Sequence, residues 1–173
     1  PNTDVILGPE MKSTGEVMGI DNSFEIAYLK SQIAAGQKLD NIKNIFISIK
    51  DDDKEEISSY AQLLQENNFN LFTTRGTFDF LADKGIKSNL VNKVAEGSPH
   101  VVEYIKDNKI DLVINTTENK QAIKDSFTIR RTSVDLSIPY STNLRSSKIL
   151  IKSIISLKKN EISVKAIQNH HNN

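Results

Sequence analysis

From Asn44 onward the chain alternates short apolar runs with helix-patterned segments, and no other property limits its fold as tightly. Ile45-Phe46-Ile47 is a continuous apolar run, closed by Ser48-Ile49, and predicts a strand buried on both faces. After Asp51 to Asp53, residues Ile57, Tyr60, Ala61 and Leu64 recur at i, i+3, i+4 and i+7, the stripe of an amphipathic helix. Phe69 to Phe72 predicts a second strand, followed by a short helix carrying Phe78 and Leu81. Asn89 to Val94 predicts a third strand. Ser98-Pro99, a cap followed by a first-turn proline, opens a helix with Val101, Val102 and Ile105. Ile110 to Ile114 is a fourth strand, Ser126 to Val134 a helix, Ile138-Pro139-Tyr140 a fifth strand. Leu150, Ile151, Ile154 and Ile155 share one face of a last helix. This spacing calls for a single three-layer, Rossmann-like α/β domain with a mainly parallel five-stranded sheet.

The flanks read differently. Residues 1–20 carry turn chemistry without a period and are expected to end a preceding domain. Asn22-Ser23 caps a linking helix within residues 21–40, the α/β domain covers 41–157, and 158–173 form a polar tail with His170-His171. Pro1 is no initiator, so the expectation is a segment of something longer. The 173 residues suffice for one real core, and 22 basic against 22 acidic residues give no global field to attract nucleic acid or an anionic membrane. No apolar stretch approaches the roughly 20 residues that span a bilayer. Without cysteine there is no disulfide, thiolate catalysis or cysteine-ligated zinc, which fits a cytoplasmic protein.

Function is sought where strands end, because open α/β sheets hold ligands in the crevice at the carboxyl ends of parallel strands. Ile114-Asn115-Thr116-Thr117 and Thr74-Arg75-Gly76-Thr77 each put hydroxyls, amides and N–H groups at such an end. Ser48 and Lys54 flank the first strand end, and Lys93 the third. Each has a plain alternative. Asp51 to Asp53 can simply neutralise Lys54, and the threonine-rich segments can be ordinary capping turns. Converging, they would build a pocket with roughly two positive charges, suited to a nucleoside monophosphate. Arg130-Arg131 reads as salt-bridged surface and His100 as an edge histidine. There is no P-loop, GxGxxG, GxSxG or HExxH, and no metal site is expected.

With these residues laid out, the chain resembles the C-terminal end of the carbamoyl-phosphate synthase large subunit. Leu7 to Gly19 (LGPEMKSTGEVMG) resembles the end of the second ATP-grasp unit. SIKDDDK (48–54), TTRGT (73–77), LVNKVAEGSPH (90–100), INTT (114–117) and IRRTSVD (129–135) resemble the methylglyoxal-synthase-like regulatory domain that follows it. The resemblance implies an allosteric domain, with UMP as inhibitor and IMP as activator bound through Ser48, Lys54, Thr74, Thr77, Lys93, Asn115 and Thr117. It implies that Tyr140 and Thr142 contribute to an ornithine site whose other ligands lie upstream. Arg75 stands where the family usually has histidine, and Ser141 where aspartate is common.

The whole enzyme so implied makes carbamoyl phosphate for pyrimidine and arginine biosynthesis, using ATP with Mg or Mn and a glutamine-amidotransferase small subunit. The resemblance implies that this fragment carries no cofactor and no catalytic residue of its own. The alternatives are a methylglyoxal-synthase-type lyase acting on dihydroxyacetone phosphate, or a bare interaction domain. Against the lyase, Glu96 to His100 lack the aspartate of the lyase's catalytic loop.

Overall fold

The computed structural model describes residues 17–116, 120–159 and 162–170. Five strands form one sheet: β1 (Asn44–Ser48), β2 (Asn70–Thr73), β3 (Asn89–Leu90), β4 (Leu112–Asn115) and β5 (Tyr140–Ser141), in the order β3-β2-β1-β4-β5. Every pairing is parallel. Among the described residues six α-helices accompany them: α1 (Phe24–Ala34), α2 (Asp51–Glu66), α3 (Arg75–Asp83), α4 (Val101–Lys106), α5 (Lys120–Asp135) and α6 (Leu144–Lys159).

The period-2 geometry of β1 and β4 divides the core in two. Ile45, Ile47, Leu112 and Ile114 point to the face covered by α1, α2, α3 and α6, where Ile57, Ala61, Leu64, Leu81 and Ile151 meet them. Phe46 and Val113 point to the other face, against Val101, Val102 and Ile105 of α4 and Ile129 of α5. Both faces are covered, so the continuous apolar run of β1 is the expected pattern for a central parallel strand. Asp111 fixes the amino end of the sheet, its carboxylate accepting the Lys43 and Asn44 N–H groups at 2.9 and 2.8 Å.

The segment before the sheet is tied to the same body. Ser23 caps α1 by accepting the Ile26 N–H, while Lys30 binds the Asp21 carboxylate at 2.7 Å and the Ile20 carbonyl at 3.2 Å. Gly19 runs so close to α1 that a Cβ there would lie 1.9 Å from the Ala27 carbonyl oxygen.

Besides shifts of one or two residues at β1, β2 and β4, four boundaries differ from the sequence expectation. The third strand ends at Leu90 because the chain turns through a 3-10 segment, Val94–Glu96, with the Glu96 carboxylate accepting the Lys93 N–H at 2.8 Å. Ser98-Pro99 does not start a helix. That peptide is cis and lies in a bend, and the chain is extended only at His100, which bridges to Asn92, whose carbonyl accepts the Val101 N–H. His100 is the cap instead, with its N–H and the Ser98 hydroxyl both held by Glu103. The fifth strand lies one step later than expected, since Pro139 has no N–H to give and joins the ladder only through its carbonyl, bonded by Val113 N–H. Helix α5 begins at Lys120, six residues before Ser126. In the tail, Ile162 packs on the core and Ile167–His170 form a 3-10 turn; His171 and residues 1–16, including most of the Leu7 to Gly19 motif, lie outside the described residues.

Two stability outcomes are expected in chemical denaturation. Ile47→Ala, at a fully buried centre of β1, should cost about 2–5 kcal/mol, whereas Ile33→Ala, 39% exposed on α1, should cost well under that. Gly19→Ala should detach residues 17–21 from α1, read as new proteolytic cleavage there with the sheet core still protected against hydrogen exchange.

Candidate functional site

The strand order reverses direction between β1 and β4. The chain builds outward from β1 through β2 to β3, then returns to the other side of β1 for β4 and β5. At that switch point neighbouring loops leave in opposite directions and open a crevice. A cavity of about 370 Å³ occupies it.

Six of the seven residues expected to hold an effector line this one cavity: Ser48, Lys54, Thr74, Thr77, Lys93 and Asn115. The seventh, Thr117, lies outside the described residues. The helical starts of α2 and α3 both open on it, so first-turn N–H groups without helical partners face the same space as the lysines. Thr74 caps α3 through its backbone, and no side-chain capping bond is present.

A web of short bonds ties the strand ends together. Ser48 Oγ lies 3.2 Å from Thr74 Oγ1 across the β1–β2 gap. Thr77 Oγ1 accepts the Ile49 N–H at 3.2 Å, which leaves its hydroxyl hydrogen for a second partner. Thr116 Oγ1 accepts the Lys50 N–H at 3.0 Å, and the Thr116 N–H bonds the Ser48 carbonyl. Asn115, 5% exposed, donates its amide to Ser126 Oγ at 2.8 Å and to the Tyr140 hydroxyl at 3.0 Å.

Lys54 is both paired and poised. Its side chain is 15% exposed and its ammonium sits 2.6 Å from the Asp51 carboxylate, so neutralisation by the acidic run and a place in the cavity hold together. The hydrogen bond from Lys54, then its charge, holds the Asp51 carboxyl below the ordinary value. Gly76 leaves the ammonium uncovered, since a Cβ there would lie 3.4 Å from Lys54 Nζ. The charge count differs from the expected surplus of about two positives. Lys50, Lys54 and Lys93 share the wall with Asp51, Glu96 and Asp125, three of each sign.

Sequence reading gave no role to Lys50, Ser126 or Ile129, all on the wall. Ser126 and Ile129 come from α5 at i, i+3 spacing, a helical stripe that reads as core from pattern alone. Apolar Val94, Val101 and Ile129 also line the cavity. His100 stays at the edge of α4, its Nδ1 buried without a partner and 3.7 Å from Glu103 Oε2. Arg131 pairs with Asp135 at 3.2 Å on the exposed face of α5, the surface role expected of it.

Tyr140 and Thr142 lie at a second cavity of about 200 Å³, between the end of β5, α1 and α6. Tyr28 and Gln32 of α1 and Ser146 of α6 face them, and Ser141 bonds Ser147 at 2.9 Å. Burial raises the phenol pKa of Tyr28, and that of Tyr140 despite the opposing bond from Asn115. Among the described residues no group of three or more histidines, cysteines or carboxylates is placed to hold a metal ion, and no helix is long and apolar enough to cross a membrane.

The Lys54–Asp51 contact has a measurable signature. In a carboxyl-detected NMR titration Asp51 should titrate below 3.8 and return toward it in Lys54→Met. A depressed carboxyl contributes to stability above its ordinary pKa, and loses that contribution as pH falls through the lowered value.

Comparison with known proteins bears on the family and the fold. The family model described as the MGS-like domain matches residues 56–142, half of the chain. The chain is 50% identical over 167 residues to the carbamoyl phosphate synthase large chain of Myxococcus xanthus, covering 96% of this chain and 15% of that protein. It is 44% identical over 172 residues to the C-terminal section of the Methanopyrus kandleri large chain, covering 99% of this chain and 32% of that one. A crystal structure of methylglyoxal synthase from Elizabethkingia anophelis superposes with a TM-score of 0.52 at 20% identity, covering 65% of this chain and 78% of the other, a likeness of fold. The chain thus spans about a sixth or less of the full-length relatives, and about a third of those divided into sections. It belongs to the MGS-like domain family and corresponds to the C-terminal part of carbamoyl phosphate synthase large chains.

Proposed function

We propose that this domain is the allosteric module of a carbamoyl-phosphate synthase, binding nucleoside monophosphates in the crevice between β1 and β4, with UMP as inhibitor and IMP as activator. The observation that carries this reading is the convergence of Ser48, Lys54, Thr74, Thr77, Lys93 and Asn115, from the ends of four strands, on one cavity. The chemistry is divided as such a ligand requires. Two helix starts, two threonine hydroxyls and the lysines supply donors for a phosphate, charge-assisted where an ammonium is involved. The apolar wall of Val94, Val101 and Ile129 supplies a surface for a base.

On this reading the second cavity, at Tyr140 and Thr142, forms part of an ornithine site completed by the rest of the large chain. The fragment regulates and does not catalyse. ATP, Mg or Mn ions and the glutamine-amidotransferase small subunit belong to the cytoplasmic holoenzyme, which supplies carbamoyl phosphate to pyrimidine and arginine biosynthesis. Coupling to catalysis requires that each effector bind two enzyme states unequally.

Calorimetry tests the site directly. UMP should bind one to one, IMP should compete with it, and Lys54→Ala should weaken binding by about 1–3 kcal/mol through loss of a charge-assisted phosphate contact. Affinity unchanged in both Lys54→Ala and Lys93→Ala would remove this site from consideration. Incubation with dihydroxyacetone phosphate should release no methylglyoxal; release would favour the lyase.

A further inference from the structure

One hydrogen bond, between Tyr140 and Asn115, joins the linings of the two cavities. Tyr140 stands in β5, in register with Val113 of β4, and its backbone and neighbours Ser141 and Thr142 line the second cavity. Its hydroxyl crosses the strand pair to Asn115 Nδ2, 3.0 Å away, on the wall of the first. Asn115 spends its other amide hydrogen on Ser126 Oγ at 2.8 Å. An asparagine amide has two donor hydrogens and one acceptor oxygen. Both hydrogens are therefore committed, and what Asn115 offers a ligand is a carbonyl oxygen, which reads a hydroxyl or N–H rather than a phosphate. A buried network of this kind fixes its members closely and is sensitive to the loss of any one.

We propose that Tyr140 is a positioning residue shared by the two cavities, its hydroxyl aiming the Asn115 carbonyl at a donor group of the ligand in the first while its strand forms the wall of the second. A shift of the β5 edge then changes the angle at which Asn115 meets that donor. By linkage, a ligand that orders Asn115 is felt equally at the β5 edge. The inference rests on the nucleotide reading of the first cavity and adds a route by which the second is connected to it.

Reciprocity allows a test on this chain with UMP alone, by backbone amide NMR. In the wild type, UMP should shift Thr77, in the first cavity, and also Thr142 and Asn143, in the second. In Tyr140→Phe, which keeps the ring, the Thr77 response should persist while those of Thr142 and Asn143 collapse, and affinity should fall about two- to tenfold, as for one lost hydrogen bond. Lys93→Ala removes a cation of the first cavity and leaves the Asn115–Tyr140 bond in place. It should weaken UMP similarly yet leave the Thr142 and Asn143 response intact. An equal response of Thr142 and Asn143 in Tyr140→Phe overturns the shared role, as does their silence in the wild type while Thr77 moves. Silence at Thr77 itself removes the nucleotide reading, and this inference with it.

Discussion

Strand β1 is hydrogen-bonded on both sides to parallel neighbours that the chain reaches by going in opposite directions. Most of the domain's polar chemistry depends on that arrangement. Because β1 is covered on both faces, Ile45, Phe46 and Ile47 are wholly buried, and nothing along them can touch a solvent-borne molecule. Only its carboxyl end, at Ser48, meets the space that the diverging loops leave open. The register that pairs Ser48 with Asn115 brings the ends of β1 and β4 level, and the Thr116 N–H on the Ser48 carbonyl extends the ladder by one bond. Distance along the sequence is thereby converted into proximity: Thr77 bonds Ile49 and Thr116 bonds Lys50 although 28 and 66 residues separate them.

The relation between pattern and structure follows from what each signal is made of. Apolar periodicity records burial, so the segments it marks, Ile45 to Ile47, Ile57 to Leu64 and Leu150 to Ile155, are the best legible parts of the fold. Strand ends were legible for a related reason: a hydroxyl or amide after an apolar run must leave the sheet. That placed Ser48, Thr74, Thr77 and Asn115 on one cavity wall, while the Leu7 to Gly19 motif rested on resemblance alone.

Competing contacts that no apolar pattern records account for the rest. Ser98-Pro99 satisfies every local rule for a helix start, but Glu103 draws both the Ser98 hydroxyl and the His100 N–H to itself, and Asn92 pairs with His100 in a parallel bridge. Helix α5 hides its cavity residues in a pattern shared with core, and nothing local connects Ser126 to Asn115. Of the three carboxylates on the wall, Asp51 was legible as a neighbour of Lys54, whereas Glu96 and Asp125 were beyond reach, because counting lysines at strand ends says nothing of which acids fold back beside them.

That balance of charge bears on how an anion would enter. The Lys54 ammonium already holds a carboxylate at 2.6 Å, on a side chain that is 84% exposed and able to swing away. A phosphate bound there as proposed would replace Asp51 as counter-anion instead of joining an uncompensated cation, one negative partner exchanged for another. Exchange of this kind gains little from long-range attraction. Recognition would then tolerate changes in ionic strength that abolish purely electrostatic capture, leaving the fixed geometry of hydroxyls and helix starts to decide what stays.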